Sequence, residues 1–167
     1  MGSLALVWVL GAGASAASLE ISVDTSETPD MTAWAVHAKD LCAKSYPMIL
    51  KHLAAPGFEP PEKVRIVFKR DEGIAFTSGT TITCMEGWFK AHPDDYGAVI
   101  HELCHVAQAY GASRVPGWVT EGIADYVRWF HFEPKARRPR VNPQRAKYTD
   151  GYQTTAAFFD WIVRTKD

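Results

Sequence analysis

The sequence predicts a single α+β domain, and three observations support that fold class. Runs typical of β-strands are confined to residues 19–85, and segments with helical spacing dominate the rest of the chain. A His-Glu-x-x-His motif, which needs a helix to bring its two histidines together, lies in the helical part. The length of 167 residues suits one domain with its own core, which we place at residues 17–167.

Strands and one long helix are expected in the first half of the chain. Residues 19–23 alternate apolar and polar side chains, as a strand with one buried face does. Asp30 is expected to cap a helix whose apolar residues recur at helical spacing as far as Leu53. The remaining strands are predicted at residues 64–69, 74–77 and 80–85, and the last two form a hairpin around Ser78 and Gly79.

Three helices joined by loops are expected in the second half. The helix that carries the motif is predicted at residues 94–110, and the next helix at residues 118–129. Glycine and proline residues between the two helices favour a sharp reversal of the chain. Residues 134–144 contain three prolines and are predicted to form a loop, after which residues 151–163 form the last helix.

The motif His101-Glu102-Leu103-Cys104-His105 has the spacing of a metal site. Residues four apart lie on one face of a helix, about 6 Å apart along its axis. His101 and His105 can therefore both reach one zinc ion at about 2.0–2.1 Å. Glu102 lies about 100° further around the helix, where a general base beside the metal belongs.

A third ligand is expected from the next helix, where Glu121 and Asp125 are also four residues apart. We assign Glu121 as the third ligand and Asp125 as the carboxylate that accepts the free N–H of a ligand histidine. The spacing alone also permits the reverse assignment. The same motif occurs by chance on helix surfaces, but here apolar residues flank it, and buried His and Glu without partners would be costly.

Composition and charge exclude some classes of partner. The formal net charge is −1, so nothing in it favours nucleic acid or an anionic membrane surface, and no apolar run is long enough to span a bilayer. One basic cluster lies in the proline-rich loop. We interpret it as a solvated loop, against the alternative of a rim that selects acidic substrates or polyanions. The cluster consists of Lys135, Arg137, Arg138, Arg140 and Arg145.

The N-terminus predicts a leader at residues 1–16. An apolar run at residues 4–10 is followed by small residues that end in Ala14-Ser15-Ala16, which resembles a secretory cleavage site. No Lys or Arg precedes the run, so an apolar N-terminal strand is the alternative. We expect a secreted protein.

Three cysteines permit at most one intramolecular disulfide bond. Cys42 with Cys84 is the first pair to test, although buried free thiols are the simpler interpretation. Cys104 lies inside the motif, one residue before His105, and should point away from the metal.

Most of the chain resembles the plant and microbial basic secretory protein family of zinc peptidases. The similarity extends over residues 32–129 and continues at residues 148–159. Its most specific segments are the metal motif and residues 41–47, 58–61, 73–79, 88–95 and 116–126. Two departures are that the chain is not basic overall and that it ends at Asp167, where family members usually continue. We therefore expect a fragment or a short member.

The resemblance implies a thermolysin-like zincin fold, with a small mixed sheet packed on the motif helix and Glu121 as the third ligand. It also implies an edge strand over the cleft, formed by Ala75, Phe76 and Thr77, that pairs with an extended peptide. Related aminopeptidases stabilise the oxyanion with a Tyr in a Tyr-x-x-Gly-aromatic segment. That role falls on Tyr148 here, with Tyr152 as the runner-up.

These observations predict a zinc metallopeptidase of the gluzincin type, in which Glu102 activates the water and Zn²⁺ is the cofactor. We expect a monomer that acts on a peptide or protein, without a nucleic-acid partner and without a membrane partner once the leader is removed. Two alternatives stay open: a secreted zinc-containing binding or defence module without turnover, and a zinc hydrolase of non-peptide amides or esters.

Overall fold

Over the residues that it describes, a computed structural model of the chain contains a four-stranded mixed sheet and five α-helices. The structure describes residues 19–53, 57–110, 114–138 and 140–166, so the predicted leader at residues 1–16 lies outside the described residues. The strands are β1 (Glu20–Asp24), β2 (Lys63–Lys69), β3 (Ala75–Ser78) and β4 (Thr81–Met85). The helices are α1 (Thr32–Leu53), α2 (Glu86–Ala91), α3 (Tyr96–Gln108), α4 (Gly117–Tyr126) and α5 (Tyr152–Lys166).

The sheet has the strand order β1-β2-β4-β3. β1 and β4 both run parallel to β2, whereas β3 runs antiparallel to β4 and forms one edge. The predicted hairpin is confirmed, and Gly79 in its turn has φ +58°, a conformation that glycine adopts without strain. The α+β fold class is confirmed as well.

Two element predictions need correction. Asp30 does not cap α1, because it lies inside a 3₁₀ turn (Pro29–Met31) and its carboxylate pairs with Lys90. The predicted motif helix begins later than expected, at Tyr96, and the separate helix α2 was not predicted. The N-cap of α3 is Asp95, whose Oδ1 accepts the N–H of Ala98 at 3.2 Å.

The core lies where the sheet meets α1 and α3. Apolar residues of β2, β4 and α3 are almost fully buried, among them Phe68, Ile82 and Leu103. All three cysteines are free and buried in this core, and burial raises the pKa of each thiol. Within the described ranges, none of the helices combines the length and the apolarity needed to cross a bilayer.

A π-helical turn (Val127–Phe132) continues α4 and ties it to the start of α3. Arg128 in this turn donates from Nη2 to Oδ1 of Asp95 at 2.6 Å, and from Nε to Oε2 of Glu133 at 3.3 Å. Both ion pairs are mostly shielded from solvent, so they hold more firmly than surface pairs do. The contacts fix how the two helices that carry the metal motif and Glu121 meet.

Gly122 allows α4 and α5 to approach closely. A Cβ atom at this position would lie 2.3 Å from Cγ2 and 2.7 Å from Cβ of Thr155, which is fully buried. We expect Gly122→Ala to lower the free energy of unfolding by about 1–3 kcal/mol through overpacking. Gly117→Ala, where an added Cβ meets nothing within 4 Å, is the matched control and should be neutral or slightly stabilising. Chemical denaturation of both variants measures the difference, and equal effects would contradict the close approach.

Candidate metal centre and its cleft

The helix α3 brings His101 and His105 to one face, as their spacing predicts. Both side chains point toward α4, where Glu121 lies between them. The Nε2 atoms of the two histidines are 3.1 Å apart. Oε2 of Glu121 lies 3.1 Å from Nε2 of His101 and 3.3 Å from Nε2 of His105. Three donor atoms therefore converge in a nearly equilateral triangle.

The size of this triangle fits a zinc ion. Tetrahedral ligands at about 2.0–2.1 Å from zinc are separated from one another by roughly 3.3 Å. Glu102 also has a carboxylate oxygen within 4.8 Å of the histidine nitrogens. The shorter distances from the histidine nitrogens to Glu121 favour Glu121 as the third residue that could hold a metal, and leave Glu102 beside the triangle.

The outward-facing nitrogens of both histidines are held by oxygen acceptors. Nδ1 of His101 donates to Oδ1 of the buried Asp125 at 2.7 Å, and Nδ1 of His105 donates to Oε1 of Gln108 at 2.8 Å. When the only proton of a ring is on Nδ1, as in a histidine that binds a metal through Nε2, the Nε2 lone pair is directed to the triangle. The placement of Asp125 agrees with its predicted role beside His101.

Gln108 was not identified from the sequence. Its side chain is 6% exposed, and its Nε2 donates to the carbonyl of Thr120 at 2.9 Å, so it links the end of α3 to α4 as well as orienting His105. The sequence spacing could have identified it, because Gln108 follows His105 by three residues and so lies on the same helix face.

We expect Gln108→Met, which keeps the volume but removes both hydrogen bonds, to weaken zinc binding about 10–100-fold. Without the amide, the ring of His105 loses its preferred tautomer and orientation. Competition with a zinc-sensitive dye measures the affinity. Gln144→Met is the control, since Gln144 lies in an exposed loop. Unchanged affinity in the Gln108 variant would show that Gln108 only packs the helix end.

The residues of the triangle shift one another's pKa values. Burial disfavours a charged His101, but hydrogen bonds to Asp125 and Glu121 outweigh this effect and raise its pKa to about 9. Hydrogen bonds from His101 and His105 lower the pKa of Glu121 to about 2. A bound cation would compete with a proton on His101, because a histidine binds a metal through a deprotonated nitrogen.

Glu102 is held by the edge strand β3. The hydroxyl of Thr77 donates to Glu102, lying 2.8 Å from Oε2 and 3.0 Å from the main-chain oxygen. Glu102 is 9% exposed, and the contact from Thr77 orients its carboxylate inside a largely water-shielded site. Thr77 was predicted as a substrate contact, and the structure adds a hydrogen bond to Glu102, the predicted general base.

A cleft of about 760 Å³ opens over the metal centre. The predicted edge residues Ala75, Phe76 and Thr77 line it, and Phe76 is half exposed. β3 is the outermost strand of the sheet, so its free edge is available to pair with an extended chain. The wall also includes Glu102, Asp125, Arg128 and the segment from Asp150 to Thr154.

The two tyrosines proposed for the oxyanion differ in position. Tyr152 lines the cleft, and its ring stacks toward His101 with centroids 6.2 Å apart and planes inclined by 15°. Tyr148 lies outside the cleft wall and packs on Trp118 and Phe158, at centroid distances of 5.3 and 5.2 Å. This placement runs against the first assignment, to Tyr148, and favours the runner-up, Tyr152. Tyr148 was favoured because the matched segment begins with it, whereas its ring packs on the aromatic residues of α4 and α5.

Backbone strain supports a specific role for Tyr152. Its φ is +43°, a conformation that costs a non-glycine residue energy and that is over-represented at functional sites. The hydroxyl of Thr155 accepts the N–H of Gly151 at 3.0 Å and donates to the carbonyl of Tyr148 at 2.6 Å, which holds the turn. The negative charge of Glu121, together with burial, raises the pKa of Tyr152 and keeps its hydroxyl a hydrogen-bond donor.

Comparison with known proteins adds one finding. The model of the BSP family, described as a peptidase of plants and bacteria, matches residues 18–167. No curated protein and no solved structure matches the chain. The matched region includes the metal triangle, Glu102, the edge strand and the turn before α5, so every part of the site described above lies inside it.

Proposed function

Because the chain belongs to the BSP family of plant and bacterial peptidases, we propose that it is a zinc-dependent peptidase. The observation that carries this proposal is the triangle of His101, His105 and Glu121, whose donor atoms lie 3.1–3.3 Å apart. A set of three protein ligands leaves one tetrahedral position for water or substrate, as catalytic zinc sites do. A structural zinc site would use four protein ligands.

His101, His105 and Glu121 would hold a zinc ion, which would supply Lewis acidity to lower the pKa of water to about 7 and to polarise a carbonyl group. Glu102 is the proposed general base, which takes a proton from water and passes it to the leaving amine. Its carboxylate is oriented for this transfer by the hydroxyl of Thr77. The low exposure of Glu102 also limits competition from bulk water.

The edge strand β3 is the proposed binding site for the substrate backbone. An extended peptide that pairs with the free edge of Ala75, Phe76 and Thr77 would form main-chain hydrogen bonds that do not depend on side-chain identity. The same pairing would place a scissile carbonyl near the metal triangle, because Thr77 contacts Glu102 directly.

Tyr152 is the proposed donor to the oxyanion. We expect Tyr152→Phe to lower kcat about 10²–10³-fold with little change in KM, because the hydrogen bond forms mainly in the transition state. Tyr148→Phe is the matched control and should retain nearly full activity, since Tyr148 lies outside the cleft wall. Steady-state kinetics on a fluorogenic peptide measure both. A larger loss in the Tyr148 variant would return the role to Tyr148.

Peptidase action is distinguished from the two alternatives by a combined experiment. Zinc is quantified in the purified protein, and a peptide library is digested with the natural chain and with Glu102→Gln. Zinc without cleavage in either sample favours a binding module, whereas turnover of ester or amide probes alone favours a non-peptide hydrolase. Secretion is also part of the proposal, and N-terminal sequencing of protein recovered from medium tests for cleavage after Ala16.

A further inference from the structure

A second cavity extends the cleft into the basic loop. Its volume is about 310 Å³, and it shares Asp150, Gln153 and Thr154 with the wall of the main cleft. Arg140 and Arg145 line this cavity, which is hereafter the arginine groove. A chain bound along the cleft could therefore place a side chain in the arginine groove without leaving the continuous concave surface.

The two arginines of the groove are available to a ligand. Neither guanidinium forms a salt bridge with an acidic residue in the described part of the chain. Arg138 of the same loop differs, because it donates to the carbonyl of Trp129 at 3.1 Å and lies 4.1 Å above the ring of Phe130. Arg138 stabilises the loop, whereas Arg140 and Arg145 retain their capacity to bind a carboxylate.

One acidic residue also lines the groove. Oδ2 of Asp150 accepts the N–H of Lys147 at 2.9 Å, so part of its hydrogen-bonding capacity is used locally. With two arginines and one aspartate in its wall, the groove is net positive. The main cleft has a different balance of charge, because three carboxylates, those of Glu102, Glu121 and Asp125, line it. Its one arginine in the described wall, Arg128, is already paired with Asp95 and Glu133.

Another cavity that adjoins the main cleft lacks lysine and arginine side chains in its described wall. A third cavity of about 340 Å³ shares Thr77, His105 and Glu121 with the main cleft but no residue with the arginine groove. Its described wall contains neither lysine nor arginine. This cavity therefore offers no guanidinium or ammonium group to an acidic side chain, unlike the arginine groove.

We propose that Arg140 and Arg145 form a subsite that selects an aspartate or glutamate side chain of the substrate, on one side of the scissile bond. This inference rests on the proposed peptidase function and names the class of substrate that the site prefers. It also gives the basic loop a role other than a solvated surface.

The test uses pairs of peptides that are identical except for one residue, which is Glu in one peptide and Gln in the other. A separate pair is made for each position on either side of the scissile bond. The natural chain should cleave the Glu peptide about ten-fold better at positions on one side only, as expected for a charge-assisted hydrogen bond. The double variant R140Q/R145Q should lose this ratio and keep its rate on the Gln peptide. Added salt should reduce the ratio in the natural chain.

Arg137→Gln is the matched control, because Arg137 lies in the same loop but outside both the cleft and the arginine groove. It should keep the ten-fold ratio. Equal ratios in the natural chain and the double variant overturn the subsite, as does an equal loss in the Arg137 control.

A binding measurement separates the subsite from the peptidase function. The paired peptides are titrated into zinc-loaded Glu102→Gln. Tighter binding of the Glu peptide, abolished by R140Q/R145Q, supports the subsite whether or not the natural chain cleaves any peptide. If the natural chain cleaves none, that absence of cleavage refutes the peptidase function and leaves the subsite standing. Absence of binding for both peptides, or equal binding of the two, refutes the subsite.

Discussion

Glu102→Gln is expected to bind zinc as the natural chain does and to lose hydrolysis by about 10²–10⁴-fold. The substitution keeps the size of the side chain and leaves an amide oxygen that can still accept the hydrogen bond from Thr77. The amide cannot take a proton from water, so the variant loses the general base and little else. Zinc content and kcat on a fluorogenic peptide measure the two properties separately.

Glu62→Gln is a suitable control, because Glu62 is exposed just before β2 and the variant has the same change in formal charge. It should retain full activity. If Glu102→Gln retained a large fraction of the natural kcat, the general base would be another group, and the contact between Thr77 and Glu102 would have only a structural purpose.

Glu121→Ala is expected to lose zinc almost completely, because it removes one of the three atoms of the triangle. The loss of affinity should exceed the roughly 100-fold that removal of an outer hydrogen-bond partner costs. Asp125→Asn is therefore the comparison: it weakens a hydrogen bond to His101 but leaves all three ligands in place.

Isothermal titration with zinc measures both variants, and the shift of Tm on adding zinc gives an independent readout, since a ligand stabilises only a fold that binds it. His105→Ala should behave like Glu121→Ala. If Asp125→Asn lost more affinity than Glu121→Ala, the roles of the two carboxylates would be reversed, as the sequence spacing alone permits.

Local periodicity made several elements predictable. The alternation of residues 19–23 and 64–69 and the turn at Ser78 and Gly79 specified strands, which the structure confirms in β1, β2 and the β3–β4 hairpin. Helix α2 was missed because six residues offer too little of a helical period to recognise. The strand order β1-β2-β4-β3 depends on long-range packing, which no local pattern encodes.

The relative positions of the three motif residues in the site were predictable for the same reason. The backbone of a helix places residues four apart on one face, so the relation of His101, Glu102 and His105 follows from their spacing alone. Gln108 belongs to the same face and could have been included, because an amide three residues after a ligand histidine can reach its ring.

Only the tertiary structure decided what surrounds that helix. The choice of Glu121 over Asp125 at the triangle, the contact from Thr77 to Glu102, and the position of Tyr152 inside the cleft all join residues at least 16 positions apart. Tyr148 and Tyr152 are four residues apart, yet the left-handed backbone at Gly151 and Tyr152 sends their rings to different surfaces. Spacing determines geometry within one regular element, whereas the packing of separate elements and the path of the turns between them determine how the site is assembled.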